Sequence, residues 1–172
     1  MSPAADDYRG ALAAIERIMN READSDDIVR LTVEVLHDRF DTYSWVGIYF
    51  VEEGELVLGP WKGPQATDHV RIPIGEGVCG AAAASGATEI VDDVAADPRY
   101  LACFPQTRSE IVVPVSYEGT VVAEIDIDSD APAAFGAADR EFLERVATVI
   151  SPHCLVGWDT GGMDWDAPEN WR

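Results

Sequence analysis

The chain has 172 residues, 47% of them hydrophobic, and sets 12 basic residues against 32 acidic ones for a formal net charge of -20. That length suits one domain with a sizeable core, and the charge excludes nucleic acid and anionic membranes as partners, since both call for a basic surface. No apolar run reaches the roughly 18 residues needed to span a bilayer.

Residues 8 to 20 read as a helix with Leu12, Ile15 and Met19 on one face. A second helix is expected after Ser25, a good cap, with Asp26 and Asp27 in its first turn. Its stripe is Ile28, Leu31, Val35 and Leu36. The period then changes. Ser44 to Val51 is aromatic and β-branched, Glu52-Glu53-Gly54 is a turn, and Glu55 to Trp61 returns as the second strand of a hairpin. A loop at Gly63-Pro64-Gln65 leads to a short strand around Val70 to Ile74.

Val78 to Ser85 is rich in alanine, which predicts a closely packing helix stopped by Gly86. Glu89 to Val91 is a short strand. The segment from Asp92 to about Ser109 has no period, and a loop of that length in a compact domain is usually functional. Glu110 to Tyr117 and Thr120 to Asp128 are strands joined by Glu118-Gly119. Asp139 to Val156 is an amphipathic helix bearing Phe142, Leu143, Val146, Val149 and Ile150. Asp159 to Arg172 lacks periodicity and is expected to be a loose tail. Residues 1–158 therefore form one domain and 159–172 an acidic tail. The fold class is α+β, a hairpin-connected antiparallel sheet flanked by helices at both ends.

The start, Met1 to Asp7, is acidic and has no apolar core, so it is not a secretory signal and a cytoplasmic location is expected. Lys62 is the single lysine; every other basic residue is arginine. The charge balance reads as a solvated acidic shell of the salt-adapted kind, screened by counterions. Three cysteines, an odd count, in a reducing compartment are not a disulfide framework.

Gly75-Glu76-Gly77-Val78-Cys79-Gly80 matches G-x-G-x-x-G, but the strand before it is short and contains Pro73. No βαβ repetition follows, so a tight turn into a helix is the better reading than a dinucleotide cradle. It places Cys79 at a helix N-terminus, where the dipole lowers a thiol pKa. Cys103 lies in the long loop, where it is either a small buried hydrophobe or a reactive thiol. Cys154, on the last helix, reads as packing.

Glu110, Asp126 and Asp128 lie on apolar strands, where an unpaired charge costs several kcal/mol. Asp126 and Asp128 are two apart and share one face. They are either a solvated face or a repelling pair, one of which keeps its proton near neutral pH. Trp45 and Tyr49 also share a face, as core or as ligand walls. No histidine has ligand spacing with a cysteine, so no metal is expected. No G-x-S-x-G elbow is present.

Trp45-Val46-Gly47-Ile48-Tyr49, Leu56 to Pro60, Gly77-Val78-Cys79-Gly80, Ser109 to Pro114 and Asp126-Ile127-Asp128-Ser129 resemble the GAF-domain enzymes that reduce free methionine-(R)-sulfoxide. The resemblance runs over about residues 8 to 156. It implies a GAF-like fold, Cys103 as catalytic thiol, Cys79 as its redox partner, and Glu110, Asp126 and Asp128 as holders of the substrate's ammonium and sulfoxide groups. Trp45 and Tyr49 would be the aromatic walls. It also implies no bound cofactor, a thioredoxin-like external reductant, and compatibility with a homodimer through the end helices. Two positions depart from that pattern. His69 stands where the family often has a resolving cysteine, and Phe104 follows Cys103 where the family has an acid. The competing expectation is a small-molecule-binding or regulatory GAF domain without turnover.

Overall fold

A computed structural model describes residues 3–21 and 23–155. The expected tail, 159–172, lies outside them. Ten regular elements follow in chain order: α1 (Ala5–Met19), α2 (Ser25–Arg39), β1 (Trp45–Glu52), β2 (Glu55–Lys62), β3 (Arg71–Pro73), α3 (Gly77–Ser85), β4 (Glu89–Val91), β5 (Ser109–Tyr117), β6 (Thr120–Ser129) and α4 (Ala137–Ile150). The six strands form one antiparallel sheet in the order β3-β2-β1-β6-β5-β4. The α+β expectation holds.

Side-chain alternation gives the sheet two different faces. One carries Val46, Ile48, Phe50, Ile111, Val113, Ile125 and Ile127 and is covered by α1, α2 and α4. The other carries Trp45, Tyr49, Leu58 and Val112 beneath α3 and the long loop. The end helices thus make the main core, and α3 with the loop makes a second, smaller compartment.

Several helix details differ from the sequence reading. Ile18 rather than Met19 is buried in α1. In α2 the buried face is Val29, Thr32, Val33 and Leu36 with Ile28, so Leu31 and Val35 sit at its edge. The cap of α2 is Asp24, which accepts from the Asp27 amide at 2.8 Å, and Ser25 is the first helical residue. The last α-helix ends at Ile150; Pro152 sits in a 3-10 turn over Ser151–His153, since proline lacks the amide that would extend the helix. Gly86 ends α3 in the left-handed conformation, φ 67°, as the glycine signal predicts. Cys154 packs in the main core at 2% exposure.

One carboxylate is buried in the main core. Asp139 Oδ1 accepts from the Tyr8 and Tyr43 hydroxyls, each at 2.9 Å, and Oδ2 accepts from the Gly136 amide at 2.9 Å. It closes the N-terminus of α4 and ties that helix to α1 and to the segment before β1.

Candidate functional site

The second face of the sheet is acidic where a core is normally apolar. In the ladders, Trp45, Asp128 and Glu110 form one row across β1, β6 and β5. Gly47, Asp126 and Val112 form the next, and Tyr49, Glu124 and Pro114 the third. The period of two puts Glu124, Asp126 and Asp128 on one side while Ile125 and Ile127 fill the main core. Glu110, Glu124, Asp126 and Asp128 are 4%, 0%, 2% and 2% exposed.

These acids have no cationic partner among the described residues. Glu110 Oε2, Asp126 Oδ1 and both carboxylate oxygens of Glu124 and of Asp128 have no hydrogen-bond partner. None of the ion pairs among the described residues involves them. Burial, then the charge of Asp126, holds the Glu110, Asp128 and Glu124 carboxyls well above the usual carboxylate range. Asp126 is pushed up by burial to about 7, restrained by Cys79 and Glu110 beside it. The arrangement is therefore acidic in composition, and burial favours the protonated form of each carboxyl.

Cys79 reaches this cluster, and Cys103 packs against the side chains around it. Cys79, in the first turn of α3, sits 3.8 Å from Glu110 Oε1. The expected helix-dipole lowering of its pKa does not occur. Burial first, then Asp126, Glu124 and Glu110, push the thiol well above its ordinary value, because desolvation and nearby negative charge outweigh a partial dipole charge. Gly80 lets α3 come this close: a Cβ there would lie 2.6 Å from the Pro73 carbonyl oxygen. Cys103 is half-buried in the loop and donates to the Leu101 carbonyl at 3.3 Å. Burial, then Asp126 and Asp128, raise its pKa, with Thr67 opposing. Cys103 is also among the groups that raise the Cys79 pKa.

Aromatic side chains close the compartment. The Trp45 ring lies 5.6 Å from Phe104 and 6.1 Å from Trp61, centre to centre. It also lies over Gly47, where a Cβ would come within 2.3 Å of Trp45 Cη2. Any side chain at 47 displaces the ring. Tyr49 OH donates to the His69 carbonyl at 2.8 Å. His69 Nε2 stands 3.3 Å from the Ala102 carbonyl oxygen, next to Cys103. His69, the departure noted in the sequence, thus bridges strand β1 and the thiol loop.

All seven sequence-expected residues converge here: Cys79, Cys103, Glu110, Asp126, Asp128, Trp45 and Tyr49. Four neighbours were missed. Glu124 was legible from the alternation Glu124-Ile125-Asp126-Ile127-Asp128. Tyr100, with a buried hydroxyl that lacks a partner and a pKa raised by burial and then Asp128, and the buried Thr67 and Thr107 carry no pattern that marks them. Cys79, Glu110 and Asp126 are also the one thiol-and-carboxylate grouping among the described residues close enough to share a metal ion.

A profile of the GAF domain matches residues 22–152. The chain belongs to the GAF domain family. This GAF domain is 37% identical over 146 residues to "Protein YtsP" of Bacillus subtilis, covering 84% of this chain and 88% of that protein. It is 41% identical over 116 residues to the free methionine-R-sulfoxide reductase of Saccharomyces cerevisiae, covering 65% and 63% of the two chains. The structure of free methionine-R-sulfoxide reductase from Neisseria meningitidis in complex with its substrate superposes with a TM-score of 0.81 at 38% identity, over 90% of this chain and 93% of that one.

Proposed function

We propose that this GAF domain reduces free L-methionine-(R)-S-oxide to methionine with a pair of thiols. The observation that carries the reading is a pair of thiols on the acidic side of the sheet: Cys79 lies 3.8 Å from Glu110 Oε1 among carboxylates whose oxygens lack partners, and the half-buried Cys103 packs against the same compartment. Unpartnered buried acids are costly, and a ligand with an ammonium group and a polarised S–O bond satisfies them. The sequence and structural likeness to free methionine-R-sulfoxide reductases supports the same substrate.

In this mechanism the ammonium group pairs with ionised acid in the cluster, Asp126 being the most readily ionised. Its charge offsets the acids that otherwise disfavour a Cys103 thiolate. The thiolate attacks the sulfoxide sulfur, and a protonated carboxyl, Glu110 or Asp128, delivers its proton to the oxygen. The substrate S–O bond then breaks as its oxygen passes to the Cys103 sulfur, so that methionine departs with the electron pair and Cys103 is left as a sulfenic acid. The Cys79 thiol then displaces that oxygen as water and forms a disulfide with Cys103. A thioredoxin-like dithiol returns both to thiols by exchange. Trp45 and Tyr49 wall the substrate's side chain. A peptide methionine lacks the free ammonium and leaves the acids unpaired, which favours the free amino acid.

The test is methionine release from the R and S diastereomers with dithiothreitol in molar KCl, where counterions screen the -20 charge. Release from the R form alone, lost in Cys103→Ser while that variant still binds substrate, supports the reading. Tight binding by the unmutated protein without release makes it a binding or regulatory module instead.

A further inference from the structure

Cys79 Sγ and one carboxylate oxygen each from Glu110 and Asp126 lie within 4.8 Å of one another. All three side chains are more than nine-tenths buried. A second observation points to a ligand of higher charge than the substrate. Glu110 Oε2 and Asp126 Oδ1 have no partner, and neither has either oxygen of the fully buried Glu124 beside them. A free amino acid brings one ammonium group. That leaves several carboxyl oxygens without a partner in the compartment that holds the thiol.

The donor set selects the ion. Mg2+ and Ca2+ take oxygen donors. One sulfur with two or three carboxylates suits a borderline-soft ion that accepts both, such as Zn2+. Zinc bonds of about 2.3 Å to sulfur and 2.0–2.2 Å to oxygen put neighbouring donors roughly 3.3–3.7 Å apart on a tetrahedral ion.

We propose that the reduced protein binds one Zn2+ ion through Cys79 Sγ, Glu110 and Asp126, with Glu124 or solvent in the fourth position, and that the ion shuts the thiol chemistry off. The bonds formed are from the thiolate and the two carboxylates to the metal, and the thiol proton and any protons held by Glu110 and Asp126 go to buffer. The ion occupies a reacting thiol and two carboxyl groups at once, so substrate and zinc exclude each other. Oxidation of Cys79 to a disulfide removes the sulfur donor, which restricts binding to the reduced state.

The test uses Cd2+ as the spectroscopic stand-in for Zn2+. The full-length reduced protein is titrated without oxygen, in excess Mg2+ to occupy surface carboxylates, and thiolate-to-Cd2+ charge-transfer absorption is followed. The expected result is saturation at one equivalent. The absorption disappears in Cys79→Ser, weakens about tenfold or more in Asp126→Asn, and persists in Cys103→Ser. Asp126→Asn removes a buried charge and keeps the fold testable if Cys79→Ser does not fold. No absorption in the reduced unmutated protein, or absorption unchanged in Cys79→Ser, overturns the site. The binding result does not depend on the reductase reading; the inhibition does. Methionine release stopped by Zn2+ and restored by a chelator supports the second half, and release that continues with zinc bound overturns it. A metal-free protein that binds Cd2+ but never releases methionine counts against the reductase reading alone.

Discussion

Glu110 on β5 and Asp128 on β6 stand directly opposite each other in the ladder, on the sheet face that meets the two site thiols. Burial favours the protonated form of both, a proton the unfolded chain does not hold at neutral pH, and this costs stability. Both are also buried with oxygens that lack partners. The fold gives up stability here for a site. Asp128→Asn is therefore expected to stabilise the free protein by about 1–3 kcal/mol, a rise of several degrees in melting temperature for a domain of this size. The same change is expected to weaken substrate binding about tenfold to a hundredfold, the loss of one charge-assisted hydrogen bond. Calorimetric melts with and without substrate measure both. A lower melting temperature with unchanged affinity refutes the trade-off.

Asp139 predicts the opposite sign. It is as buried as Asp128, but its oxygens accept from Tyr8, Tyr43 and the Gly136 amide. Asp139→Ala leaves two phenol hydroxyls unpaired and uncaps α4. Urea denaturation should show a loss of roughly 2–5 kcal/mol, at about 1–3 kcal/mol for each orphaned group. Far-UV circular dichroism is the reporter, since it follows the helices that this core holds in place.

These two aspartates also mark how far the sequence could be read. Strand alternation located Asp126 and Asp128 and the face they share, because a period of two is a local property. The cysteines stood out by position, Cys79 at a helix start and Cys103 in the long loop, and the resemblance gave them their redox roles. Glu124 obeys the same alternation and needed only one more step along the strand. Tyr100, Thr67 and Thr107 sit in irregular segments, where no period ties a side chain to a face. The pKa of Cys79 was misjudged for a related reason. Helix position is visible in sequence, but the acids that β5 and β6 bring beneath that helix are a tertiary fact.

The pH dependence of thiol reactivity follows from burial. Folding raises the Cys103 pKa, so the folded protein favours the neutral thiol. That preference contributes stability below the ordinary thiol pKa of about 8.5 and loses it as the pH climbs towards the folded value. Iodoacetamide labelling of Cys103 in the free protein should be slow at neutral pH and still rising above pH 9. Mass spectrometry of the labelled peptide reads this out, and a plateau near pH 7 contradicts it.

Cys79→Ser separates the two steps of the thiol chemistry. Without external thiol, the pre-reduced variant should release about one methionine per chain and then stop, because a sulfenic acid forms but cannot be resolved. Dimedone should add to Cys103 in that variant and far less in the unmutated protein. Equal labelling in both would mean that Cys79 does not resolve.

The most direct measurement is a thiol count across one turnover. The protein has three free cysteines. Pre-reduced, stripped of external thiol and given methionine-(R)-sulfoxide, it should release one methionine per chain as two thiols vanish, with the Cys79–Cys103 linkage found by peptide mapping and Cys154 still free. Three thiols remaining with no methionine formed, or the same yield from Cys103→Ser, would contradict a site built on that sulfur.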